Sequence, residues 1–193
     1  MKNILIALIL LMPLLTIGQD LPIVNDKIVY ERIIESPNLS KPELYAACKR
    51  FIANTFKSAK SVIQTEDENT GLIICKGNTI LDYPKTRNSL IVTGMPVGGR
   101  KSFTMQFENK EGRCRVKIYD IFEDNSLSAY QRNYSLEEIM FDLAKRANSS
   151  KGKTKEKRTA VFDESVSIVN NSFLGLIKEF EESIATYKSN DNW

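Results

Sequence analysis

Histidine is absent from the 193 residues. That excludes Ser-His-Asp and Cys-His catalysis, histidine-ligated zinc and histidine-based pH switching. Cysteine is scarce, at three residues, Cys48, Cys75 and Cys114, and their spacings fit no zinc pattern. Three readings remain for them: small core residues, one internal bridge with a thiol left over, or a reactive thiol. Charge of one sign is scarce too. The net charge is +3, of which Lys2 supplies one, so there is no strong bulk attraction to nucleic acid or to a membrane. Long apolar runs are missing after the first 18 residues, and the chain shows no internal repeat.

The start of the chain does carry an apolar run. Lys2 precedes Ile4–Leu15, which is apolar apart from Pro13, and Thr16-Ile17-Gly18 places small residues at −3 and −1 of a cleavage site. Residues 1–18 read as a signal peptide cut after Gly18, with Gln19/Asp20 the alternative. The run is short for a membrane span, and no membrane span is expected once it is removed. The expected address is exported, periplasmic or extracellular. What remains, about 175 residues, suits one domain with a real core: a leader over 19–26, then a single domain over 27–188.

Within that domain the pattern alternates between two periods. Lys27–Glu35 reads as a first strand, stopped by Pro37, which has no ladder donor. Ser40, Pro42 and Glu43 start a helix whose stripe is Leu44, Cys48, Phe51, Ile52 and Thr55. Val62–Thr65 and Ile73–Ile74, rich in β-branched residues, flank the turn Glu66–Gly71; they predict a hairpin placed centrally in an antiparallel sheet. Residues 82–100 read as an irregular connection, with Leu90–Val92 as a brief strand or an apolar plug. Phe103, Met105 and Phe107 alternate with Ser102, Thr104, Gln106 and Glu108. Beyond the turn Asn109–Gly112, Cys114, Val116 and Ile118 alternate with Arg113, Arg115, Lys117 and Tyr119. One buried and one solvated face is the antiparallel signature. Ser135 and Glu138 form a capping box for a second helix with stripe Leu136, Met140, Leu143 and Ala147. Residues 148–159, without an apolar side chain, read as a basic mobile loop. The last helix, from about Thr159 to Lys188, repeats apolar residues at steps of three and four: Phe162, Val166, Val169, Phe173, Leu176, Phe180, Ile184 and Tyr187. At ~1.5 Å per residue it is longer than a four-stranded sheet is wide, so part of it is expected to overhang.

The order strand, helix, four strands, helix is that of an α+β fold with a core over 27–124 and a helical C-terminal part over 135–188. The stretch Lys27–Phe122 resembles a family of exported bacterial proteins, mostly from Bacteroidota, that carry a domain of unknown function with a TBP-like fold. The residues that carry the resemblance are KIVY at 27–30, SKPELY at 40–45, the helix body to Phe56, VIQTEDENTGLIICKG at 62–77 and KIYDIF at 117–122. The resemblance implies a TBP-like β-α-β-β-β-β-α architecture, with an antiparallel sheet, helices on one face and a long C-terminal helix. It also implies export. It brings no activity, so no functional residue is carried over.

Candidate sites are few. Gly94–Ser102 is similar to a P-loop, but Arg100 separates the last glycine from Lys101 and a strand follows rather than a helix. Glu66, Asp67, Glu68 and Asn69 offer oxygens to a cation but lack EF-hand spacing. No catalytic, cofactor-binding or metal-ligating set stands out. Arg113, Arg115, Lys117 and Tyr119 form a basic row on the solvated sheet face, with Arg100 and Lys101 near in sequence, and suit an anionic ligand. TATA-binding proteins use that face for DNA with a tandem repeat and apolar wedges; a single copy behind an export signal predicts no nucleic acid. The last stripe is most simply core. Its overhanging part, Phe173, Leu176, Phe180, Ile184 and Tyr187, is the expected surface for an envelope protein or for self-association. The functional expectation is a non-catalytic binding or interaction module of the cell envelope. The alternative is an enzyme or carrier for an envelope component, acting through the open sheet face and the 82–100 connection.

Overall fold

The computed structural model describes residues 20–56, 59–86, 97–124 and 133–187. The signal segment, Leu90–Val92 and the first half of the glycine-rich Gly94–Gly99 stretch lie outside them. The chain opens with a small hairpin, β1 (Ile23–Val24) and β2 (Lys27–Ile28). The turn residues Asn25 and Asp26 both have positive φ, 49° and 59°, the conformation a two-residue hairpin loop requires and that Asn and Asp tolerate. Then come β3 (Tyr30–Glu35), α1 (Lys41–Phe56), the single turn α2 (Ala59–Val62), β4 (Ile63–Asp67), β5 (Leu72–Leu81), β6 (Gly99–Lys110), β7 (Arg113–Glu123), α3 (Leu136–Asn148) and α4 (Gly152–Ala185).

Five of the strands form one antiparallel sheet in the order β3-β7-β6-β5-β4. The hairpin expected at the centre is therefore displaced. Its first strand, β4, is an edge, and the central strand is β6. The reason is length. β5, β6 and β7 run 10, 12 and 11 residues and pair with one another along most of their length, whereas β4 has five residues to offer. The expected first strand is also interrupted at Val29, so that β2 pairs with β1 and only Tyr30–Glu35 joins the main sheet.

The turn after β4 is built locally. Asp67 Oδ1 accepts from the Asn69 amide at 2.9 Å, its Oδ2 accepts from Thr70 Oγ1 at 2.8 Å, and Gly71 takes φ 77°. Gly71 O then accepts from the backbone amide and the side-chain Nδ2 of buried Asn109, at 2.9 and 3.0 Å, which ties the turn to β6. An added Cβ on Gly71 would meet Asn109 O at 2.4 Å, so both the turn angle and the close approach call for glycine here.

The helices cover one face of the sheet. In α3 the capping box is present as read: Ser135 Oγ accepts from the Glu138 amide, and the Glu138 carboxylate accepts from the Ser135 amide. At the start of α1 the Glu43 carboxylate accepts from both the amide and the hydroxyl of Ser40, at 2.7 Å each. The stripe Leu44, Cys48, Phe51 and Ile52 is buried, joined by Tyr45 and Ala47. It meets Ile73, Cys75, Phe103, Met105, Phe107, Cys114, Val116 and Ile118 from the sheet. Aromatic contacts stitch the layers together: Phe180 lies 4.8 Å from Phe107 and 5.1 Å from Phe51, and Phe173 lies 5.3 Å from Tyr30 and 5.5 Å from Phe103.

Two expectations for the C-terminal part are corrected. Residues 152–159 are the first turns of α4, not a loop. Lys, Glu and Arg are good helix formers, and elongation from an already packed helix costs far less than nucleation, so the apolar stripe beyond Val161 carries the polar turns with it. The 34-residue helix then leaves little uncovered. It packs on α3 and also on α1 and the sheet. Its most buried line is Val161, Ser165, Val169, Phe173, Ile177, Phe180 and Ile184.

Candidate binding face

The opposite face of the sheet carries no helix among the described residues, and cross-strand register sets what stands on it. One rung reads Glu31, Lys117, Gln106, Ile74 and Thr65; the next reads Ile33, Arg115, Glu108, Leu72 and Asp67. At the β6–β7 turn Glu35, Arg113 and Lys110 stand abreast.

The basic row is thus brought together on one face, and it is interleaved with acids from neighbouring strands. Glu31 receives Lys117 Nζ at 3.2 Å and Arg115 at 3.8 Å. Arg115 also donates to Glu108 in a close ion pair. That hydrogen bond holds the Glu108 carboxyl below its usual range and raises the Arg115 guanidinium above its own. Gln106 links the lattice: its Nε2 donates to Glu108 at 2.7 Å, and its Oε1 accepts from the Tyr119 hydroxyl at 3.0 Å. Farther along, Lys76 Nζ donates to Thr104 Oγ1 at 2.5 Å, and Thr104 is buried although it lies on this face. No ion pair reaches Lys110 or Arg113 among the described residues. These two cations, with Arg115, Glu108 and the exposed Ile33, rim a depression of about 200 Å³.

A second depression, about 380 Å³, opens at the other end of the row, where the β1–β2 hairpin stands beside the sheet. Lys27, Glu31, Gln106, Lys117, Tyr119 and Asp120 line it with apolar Val24 and Val29. Asp120 has φ 49° where the β6–β7 register shifts, a bulge that re-aims the strand beside the depression. The sequence reading missed Glu31, Glu108 and this hairpin. The Asn25-Asp26 pair between Ile23-Val24 and Lys27-Ile28 was the available signal for the hairpin.

Other expected site residues fall elsewhere. Arg100 is 3.9 Å from Asp124. Lys101 does not join the basic row: strand alternation turns it to the helix side, where it is fully buried, with Nζ 3.1 Å from Gly98 O and 3.9 Å from Glu123. Burial lowers its pKa, because the charged form loses water. In the acidic turn, Asp67 is engaged by the turn itself, and Glu66 pairs with Lys49 at 2.8 Å.

The expected partner surface on α4 is corrected. Phe173, Phe180 and Ile184 are core residues, at 0%, 0% and 3% exposure. Leu176 and Tyr187 pack partly buried against them, with the Arg50 guanidinium 4.7 Å over the Tyr187 ring. A helix lying across the sheet and braced by α1 and α3 has no apolar overhang along this stripe. The exposed apolar side chain on α4 is Leu174, off the stripe. The thiols are all free and buried; desolvation pushes Cys48 well up and Cys75 up to about 12. No helix among the described residues is long and apolar enough to cross a membrane.

An antiparallel sheet with helices on one face, and among the described residues none on the other, defines the chain as an α+β protein of TBP-like fold. Residues 30–123 match the family described as "Domain of unknown function (DUF4468) with TBP-like fold", and the chain carries a domain of that family over this stretch. Two crystal structures share the fold. A TBP-like protein from Parabacteroides distasonis ATCC 8503 has a TM-score of 0.51 and 17% identity, over 83% of this chain and 96% of its own. A DUF4468 family protein from Bacteroides ovatus ATCC 8483 has a TM-score of 0.52 and 18% identity, over 83% of this chain and 90% of its own. That coverage is wider than residues 30–123, so the shared fold includes part of the C-terminal helices. No curated protein matches the chain.

Proposed function

We propose that this protein is an exported, non-catalytic binding module of the bacterial cell envelope that takes an anionic group of a ligand or partner protein on its bare sheet face. The observation that carries the reading is the Lys110–Arg113 corner. There two cations without ion pairs among the described residues stand at a depression beside the register-paired acid Glu35, while Glu31 and Glu108 are engaged by Arg115 and Lys117. An anionic group settling there gains Coulomb attraction without having to break the lattice. The absence of histidine and the burial of every thiol support a role without histidine-based or thiol-based catalysis. The apolar run ahead of Gly18 supports export, and N-terminal sequencing of the mature protein should begin at Gln19 or Asp20.

The test places a photo-crosslinking residue at position 33, on the sheet face, or at position 178, on the solvent side of α4, in the exported full chain. Products are expected from position 33, and K110E/R113E should reduce them at least about tenfold, as for lost charge-assisted contacts. Crosslinks from position 178 alone, or yields unchanged by the double reversal, would overturn the assignment.

A further inference from the structure

Cys48 on α1 and Cys114 on β7 are 66 residues apart in sequence, yet their sulfurs lie 3.9 Å apart, both fully buried. The pair sits against a fixed neighbour. Cys48 Sγ donates to Asn109 Oδ1 at 3.3 Å, and Asn109 is the register partner of Cys114 and is itself held by Gly71 O. Cys75 is not part of this cluster. It pairs across with Met105, four residues along β6 from Asn109, which at ~3.3 Å per residue puts it ~13 Å away. A disulfide needs Cα atoms within ~7 Å, so Cys75 is out of reach.

We propose that Cys48 and Cys114 are a disulfide-forming pair that clamps α1 to the sheet when the protein meets an oxidising compartment, leaving Cys75 as the single thiol. Closure requires the sulfurs to approach from 3.9 Å to ~2.05 Å. The oxidant is a disulfide of a small thiol or of a thiol–disulfide oxidoreductase. One sulfur attacks that disulfide as a thiolate, a mixed disulfide forms, and the second cysteine displaces the remaining thiol. Two S–H bonds and the oxidant's S–S bond are lost, one S–S bond is formed in the protein, and the oxidant leaves as two thiols. Because both sulfurs are buried, closure proceeds through local opening or during folding. The bond closes a long loop and constrains the unfolded chain. It does not rest on the reading of the sheet face, from which Cys48 and Cys114 are turned away.

The full mature chain is refolded in reduced and oxidised glutathione, quenched in acid, alkylated in denaturant and examined by mass spectrometry. The expected product carries one alkyl group, on Cys75, and yields a linked pair of peptides containing Cys48 and Cys114. The C75S chain should close in the same way. Adding reductant to the closed wild type should lower its thermal midpoint by roughly 5–15 °C. Three alkylated thiols after oxidation, a bond to Cys75, or glutathione adducts in place of a protein disulfide would each overturn the proposal.

Discussion

The tie between the long helix and the edge of the sheet includes one buried hydrogen bond, and its removal can be worked through quantitatively. Tyr30 opens β3 and is 1% exposed; Asn170 lies midway along α4 and is 4% exposed. The Tyr30 hydroxyl donates to Asn170 Oδ1 at 2.7 Å, and the ring packs on Phe173. Burial raises the phenol's pKa far above its ordinary value, so it stays a protonated donor across the working pH range. Tyr30→Phe removes the donor to Asn170 Oδ1, and Asn170→Leu removes the acceptor of the buried hydroxyl. Each should cost ~1–3 kcal/mol, the penalty for an orphaned buried polar group. Replacing both partners by apolar side chains removes both halves of this bond, while the loss of the Asn170 Nδ2 contact to Asp20 O is common to N170L and the double variant, so Y30F/N170L should cost ~1–2 kcal/mol less than the sum of the singles. For a chain of this size ~1 kcal/mol is ~2–4 °C in thermal midpoint. The measurement is a urea titration of the wild type and the three variants, with the m-value held constant across them. Costs that add to within ~0.3 kcal/mol would refute the reasoning, because independent sites are what additivity means.

Two further outcomes are expected. Gly77→Ala places a Cβ 2.6 Å from Phe103 Cζ and 2.8 Å from Phe56 Cε1, inside a pair of rings 6.2 Å apart; it should destabilise by ~1–3 kcal/mol through overpacking, and an unchanged urea midpoint would show that the rings give way freely. Alkaline pH should destabilise the reduced fold through Cys75, whose thiol is held at about 12 against a reference of 9.0. Above pH 9 the unfolded thiol ionises while the folded one keeps its proton, so this stability is full below pH 9 and is lost by up to ~1.4 kcal/mol per pH unit as pH rises toward 12. Cys75→Ala should flatten the slope of stability against pH between 9 and 10.5 relative to wild type, and parallel curves would count against the burial argument.

What the chain made legible was what neighbouring residues decide among themselves. Ser135 and Glu138 cap α3 because the two side chains satisfy each other's amides within one turn. The Asp67–Gly71 turn forms from its own carboxylate and its own glycine. Alternation along Phe103–Phe107 and Cys114–Ile118 assigned the buried face, because strand side chains change sides at every residue. The resemblance over Lys27–Phe122 gave the TBP-like class, which the fold and the family match share. Packing over long sequence distances decided the rest. Strand order put β4 on the edge and β6 in the middle, since it depends on which strands have length to pair. Register across three strands set Glu31 and Glu108 against Arg115 and Lys117, so a row that reads as basic in one strand is a charge lattice in the sheet. Contact of α4 with α1, α3 and the sheet turned Phe173, Phe180 and Ile184 from an expected partner surface into core. The meeting of Cys48 with Cys114 is of the same kind: a spacing of 66 residues says nothing about distance until a helix is laid across a sheet. Local geometry is fixed by interactions within a turn or a rung, and these residues carry it in their order; the functional face is a product of register and layer packing, which no single segment of the chain contains.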